Sequence, residues 1–145
     1  MNSREKYEKN YEFILEESKN HDLFKLLLMT KIYKAPTYLD MNKDNIKILK
    51  DCFQRIKGEL SVSAICSVIE KLRKNIKGID IATASAFLHF LSEGKIPIID
   101  KYAYAFFLKE DKKMNDEEIK KEVFDKRNFK IKLDDYAEYY IFFTN

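Results

Sequence analysis

Along most of the chain, apolar residues recur three and four positions apart, and each such run breaks at a capping residue, a glycine or a proline. That is the signature of amphipathic helices joined by short turns. Ser3 is placed to cap a first helix, in which Tyr7, Tyr11, Ile14 and Leu15 recur to about Ser18. Asn20 or Asp22 can cap a second, Leu23 to Lys34, with a core stripe of Leu23, Leu26, Leu27 and Thr30. Ala35-Pro36 ends it, because proline disfavours helix in the residue before it. Thr37 to Asn42 reads as a loop with Tyr38, Leu39 and Met41 packed down. Asp44 can cap a third helix to about Lys57, with Ile46, Leu49, Phe53 and Ile56 inward and Gly58 as the left-handed residue after its end. Ser61 or Ser63 opens a fourth, through Ile65, Val68, Ile69 and Leu72 to Lys74.

The pattern changes at Asn75. Lys77-Gly78-Ile79-Asp80 reads as a tight turn, with Gly78 free to take a positive φ. Asp80 sits where its carboxylate can accept the first N–H groups of the next helix. That helix, Ile81 to Leu91, is apolar on nearly every face, which predicts the buried centre of the fold. Its small residues, Ala82 to Ala86, let a neighbouring helix come close. A short loop then delivers Pro97 and a single acid, Asp100, to the head of a helix from Lys101 to about Lys109. Beyond a charged loop, Glu110 to Met114, Asn115 can cap a helix from Asp116 to Arg127 with acids in its first turn. Asn128 to Leu133 (NFKIKL) alternates and reads as a short extended piece, and Asp134 can cap a last helix ending YYIFF. The expected architecture is one all-α domain over residues 1–145, of about seven or eight helices.

Composition agrees with this reading. The chain has 145 residues, 46% of them hydrophobic, with only three Gly and two Pro, which suits a helical core and argues against disorder. The net charge of +3 names no partner, but its distribution is uneven. Between Lys43 and Lys77, nine basic residues stand against four acidic ones, directly before the turn. A basic lobe of this kind suits a phosphate backbone or is simply a solvated face. Cys52 and Cys66 form no disulfide framework and lack metal-ligand spacing, so they read as buried small apolar residues. Nothing in the sequence calls for a metal or a cofactor. No apolar run reaches transmembrane length and the first residues have no signal-peptide core, so a cytoplasmic location without membrane contact is expected.

The stretch from Leu72 to Phe107 carries a resemblance. Gly78-Ile79, then Thr83-Ala84, an apolar helix, and Ile96-Pro97-Ile98-Ile99-Asp100 resemble the helix-hairpin-helix DNA glycosylase superfamily, most closely its monofunctional, adenine-removing branch. In that branch a hairpin Gly-x-Gly, a Thr-Ala pair and a Pro-x-x-Asp sixteen residues after the alanine form one block. Here Ala84 and Asp100 are sixteen residues apart. The resemblance implies a glycosylase-like helical fold and hydrolysis of an N-glycosidic bond in duplex DNA at a damaged or mismatched base. It places Asp100 at the position of the catalytic carboxylate. It places Lys77, Gly78, Ile79 and Asp80 on the DNA backbone, with Lys71, Arg73, Lys74 and Lys101 as surrounding phosphate candidates. Relatives with lyase activity carry a lysine where this chain has Ala82, so no Schiff base forms there, and no iron–sulfur signature is present.

Other readings of the same residues stand beside these. Asp80 replaces the second hairpin glycine and puts a carboxylate where the family binds phosphate. Asp80 and Asp100 both read as plain helix caps. His89, Tyr102 and Tyr104 are candidates for a base-binding pocket, with Phe106 and Phe107 beside them as stacking rings; each also reads as ordinary core. No acid among Glu16, Glu17, Glu59 and Glu70 is nominated to protonate the leaving base. The alternative function is a catalytically silent DNA- or protein-binding module that keeps the hairpin core, and a chance likeness in an unrelated helical protein is a third reading. Oligomeric state is not legible.

Overall fold

The computed structural model describes residues 8, 9, 12, 43–58 and 60–145. Residues 8, 9 and 12 are helical and fall within the first expected helix; the rest of the two helices expected before residue 35, and the loop after them, lie outside the described residues. From Lys43 onward the fold is built of helices, with no strand among the described residues.

Helix α1 (Lys43–Gly58) buries Leu49, Cys52 and Ile56. Gly58 is its last residue and does not take a positive φ, so the expected left-handed cap is not used there. Ser61 then caps α2 (Val62–Asn75), its Oγ accepting the Ala64 N–H at 3.1 Å. Ile65, Val68, Ile69 and Leu72 form the buried stripe of α2, which packs on α1. Cys66 is half-buried, against the expectation of full burial, because it flanks this stripe rather than lying in it.

Gly78 reverses the chain with φ 96°. An L-residue in that region puts Cβ against backbone, so Gly78→Ala is expected to cost about 1–2 kcal/mol in a denaturant melt. Helix α3 (Ile81–Leu91) comes next, and nine of its eleven residues are buried, which makes it the centre of the fold. Only Ala82 and His89 are partly exposed. An irregular segment, Ile96 to Ile99, buried at its two ends and half-buried at Pro97 and Ile98, leads into α4 (Lys101–Glu110).

Asn115 closes a reciprocal cap with Glu118 at the start of α5 (Asp116–Ile119): the Glu118 N–H donates to Asn115 Oδ1 at 2.9 Å, and the Asn115 N–H to Glu118 Oε1 at 3.1 Å. The helix widens into a π turn, Lys120–Phe124, and stops there rather than at Arg127. Residues 129–132 pair with no strand, so the expected extended piece is irregular backbone. The last helix, α6 (Leu133–Thr144), begins two residues earlier than an Asp134 cap requires, with Lys132 at the N-cap position. The acid that serves this end is Asp135, whose Oδ2 accepts the Lys132 N–H at 3.2 Å from the third helical position. Helix α6 packs on α2 and α4, and its Tyr136, Tyr139 and Tyr140 are buried.

Candidate nucleic-acid interface

A part-buried stretch of irregular backbone must find partners for the N–H and C=O groups that it shields from water. The segment Ile96 to Ile99 finds them on two helices. At the C-cap of α3, Ser92 Oγ accepts the Ile96 N–H at 3.0 Å, and within the helix the Nδ1–H of His89 donates to the Ile96 carbonyl at 2.7 Å. Ser85 Oγ accepts the Ile99 N–H at 3.0 Å while its own hydroxyl donates to the Ala82 carbonyl at 2.8 Å. On α6, the Tyr136 hydroxyl donates to the Pro97 carbonyl at 2.9 Å, and that of Tyr139 to the Ile98 carbonyl at 2.6 Å. Pro97 has no N–H to satisfy.

Asp100 stands at the end of this pinned segment. It is half-buried, and its Oδ1 accepts the Ala103 N–H at 2.7 Å, capping α4. The phenols of Tyr136 and Tyr139 are pushed well above the ordinary range by burial, and for Tyr139 the nearby Asp100 carboxylate adds to the rise. Both therefore remain hydrogen-bond donors at any ordinary pH.

Asp100 opens onto a cleft of about 680 Å³. One side is the hairpin turn and first residues of α3, Ile79 to Thr83; the facing side is the segment from Phe129 to Leu133. Four cations line it, Arg73, Lys101, Lys130 and Lys132, against two carboxylates, Asp80 and Asp100. The cations are not equivalent. Arg73 holds Glu70 with two hydrogen bonds of 2.6 and 3.1 Å, and these keep the Glu70 carboxyl below its ordinary range. The Nζ of Lys101 lies 5.4 Å from the centre of the Phe124 ring. Asp80 is exposed, and its Oδ1 accepts the Thr83 N–H at 2.8 Å. One hairpin donor is thus already occupied by a negative group.

The structure brings Ile79, Asp80, Asp100 and Lys101 to this one cleft, together with Ala82. It does not bring the other candidates there. Lys74 points to Glu70, with 3.4 Å between Nζ and Oε1. Lys77 is exposed and Gly78 makes the turn, but neither lines the cleft. His89 is spent at the far end of α3 on the Ile96 carbonyl, with its ring edge-on to Phe90 at 5.3 Å. Tyr102 is 75% exposed, 5.7 Å from the Phe124 ring. Tyr104 stacks between Phe107 and Phe129 at 6.1 and 5.9 Å and lines a second cleft of about 830 Å³. Burial, with Asp135 beside it, pushes the Tyr104 phenol up to about 12. Sequence reasoning missed Lys130 and Lys132, for which the alternation of NFKIKL was the available signal, and the loop-holding hydroxyls of Ser85, Tyr136 and Tyr139.

Among the described residues, no group of three His, Cys, Asp or Glu converges as metal ligands, and no helix is long and apolar enough to cross a membrane. Comparison of the chain with models of protein families, with characterised proteins and with solved structures gives no match.

Proposed function

We propose that the chain has a helix-hairpin-helix glycosylase-type fold, binds duplex DNA and hydrolyses the N-glycosidic bond of a damaged or mismatched base, without lyase activity. The observation that carries this reading is the meeting of Asp100, the hairpin turn and a majority of cations in one open cleft of a size that holds a nucleotide. A base inside a duplex must leave the stack to be reached. As the bond from C1′ to the base nitrogen stretches, the sugar gains positive charge. A carboxylate already held in place lowers the energy of that state without rearranging at the moment of reaction. Water then adds its hydroxide to C1′, and its proton balances the departing base. Ala82 offers only a methyl group where a Schiff-base amine would be needed, so the strand is left intact at an abasic site. The chemistry draws on Asp100 and water.

One observation favours the second reading, a binding module without catalysis: the Asp80 carboxylate occupies the Thr83 N–H and sets a negative charge over the turn. A panel of duplexes with single damaged or mismatched bases separates the two, with alkali-induced strand breaks counting abasic sites. Release by the wild type supports the enzyme. Salt-dependent duplex binding with no release on any substrate supports the module. Neither release nor binding removes both DNA readings.

A further inference from the structure

We infer that the phosphates of the duplex are held by Lys130 and Lys132, on the segment facing the hairpin, and not by the hairpin itself. This inference rests on the DNA reading above and assigns the contacts within that same cleft. The hairpin is poorly equipped for phosphate. Its Thr83 N–H is taken by Asp80, and Lys74 is committed to Glu70. Arg73 shares that one carboxylate, so Glu70 offsets one of the two charges, and Lys77 does not line the cleft.

The opposite wall has what the hairpin lacks. From Phe129 to Leu133 the chain alternates: Phe129, Ile131 and Leu133 are half-buried and pack against the core, while Lys130 and Lys132 are exposed. The ring of Phe129 is stacked on Tyr104, and the Lys132 N–H is tied to Asp135, so the backbone carrying the two ammonium groups is anchored at both ends. Among the described residues, neither lysine has a carboxylate within ion-pair distance. Both line the Asp100 cleft and also the second cleft, so they stand on the ridge between the two. Asp80 and Asp100 face them in the first cleft, and Glu118, Glu122 and Asp135 in the second, where Lys126 lies 3.2 Å from Glu122. A strand lying along this ridge meets two cations with no ion-pair partner among the described residues while its nucleotide faces Asp100.

The test is the salt dependence of binding to a short labelled duplex, followed by fluorescence anisotropy between about 50 and 200 mM salt. Each phosphate neutralised contributes about 0.9 to the slope of log K against log salt. Lys130→Gln/Lys132→Gln is therefore expected to lose about 1.8 from the wild-type slope. With affinities converging near 1 M salt, it binds about 200-fold more weakly at about 50 mM and about 20-fold more weakly at about 200 mM. Lys130→Arg/Lys132→Arg keeps the slope, and Lys74→Gln/Lys77→Gln leaves it unchanged. A wild-type slope in the glutamine pair, or an equal loss in the hairpin pair, overturns the inference while leaving duplex binding intact. Loss of slope in the arginine pair overturns it too, since charge would not be the cause. A wild type that binds no duplex overturns the inference together with the DNA reading beneath it.

Discussion

Asp100→Asn is expected to lower base release by about 10²–10³-fold while the protein melts as the wild type does. The two effects separate because, on the mechanism proposed, the side chain does two things. Its Oδ1 accepts the Ala103 N–H at 2.7 Å and so starts α4. An asparagine carbonyl accepts the same bond, and Asn and Asp rank together as caps, so stability should change by no more than about 0.5 kcal/mol. What asparagine cannot supply is the negative charge facing a positive sugar, and electrostatic groups of this kind are worth two to three decades in rate. Asp100→Ala removes both and should add a capping loss of about 1 kcal/mol to the same loss of rate. Rates come from single-turnover abasic-site assays and stabilities from denaturant melts of the same preparations. If Asp100→Asn released base as fast as the wild type, the carboxylate would be a cap and nothing more, and the mechanism proposed for it would fall.

How much the sequence disclosed depends on how far each determinant lies from its partner. The caps at Asp80, Asp100 and Asn115 were legible, and that of α2 was narrowed to Ser61 or Ser63, because a cap and the N–H it serves are three residues apart. The burial of α3 was legible because Ile81 to Leu91 offers no polar face to water. The choice between Asp134 and Asp135 was not, since both lie in the first turn of α6 and only the reach back to the Lys132 N–H decides between them. Nor was the π turn at Lys120–Phe124, which ends α5 before Arg127.

The site divides in the same way. One wall of the cleft comes from Ile79 to Thr83 with Asp100 and Lys101, all within one stretch of the sequence whose ordered spacing singled out Asp100 and showed Asp80 as a departure. The other wall comes from residues 129–133, which nothing local connects to the hairpin. The tyrosines of α6 read as aromatic core, and their rings are core. Their hydroxyls end on the carbonyls of Pro97 and Ile98, 39 and 41 residues away, and a carbonyl leaves no mark in a sequence. His89 makes the hydrogen bond of its plainer reading, to the Ile96 carbonyl, but it is partly exposed rather than core.

Those hydroxyls carry the second large expected effect. Ser85→Ala leaves the buried Ile99 N–H without its partner, and Tyr139→Phe does the same to the Ile98 carbonyl. The first is expected to cost about 1–3 kcal/mol, since an unsatisfied buried group loses its hydration without compensation, and the second about 0.5–1.5 kcal/mol, since the Ile98 carbonyl is only part-buried and water replaces some of what is lost. Against a total stability of about 5–15 kcal/mol, the pair together is enough to move a denaturant midpoint far. The two bonds hold adjacent residues, so they should not act independently. Once one is broken the segment relaxes, and the double variant should fall short of the sum of the singles by about 0.5–3 kcal/mol. The same relaxation moves Asp100, the next residue in the chain. A displacement of about 1 Å at a reacting group costs on the order of 10²-fold in rate, so base release should fall in these variants even where they remain fully folded. Tyr140→Phe supplies the contrast. Its hydroxyl donates to the Leu60 carbonyl, away from the segment, so it should lower stability without slowing release. Equal losses of release in the Tyr140 and Tyr139 variants at matched folded fractions would show that the pinning of Ile96 to Ile99 does not position Asp100. Wild-type melts for both Ser85→Ala and Tyr139→Phe would show that the segment is not held by these bonds at all.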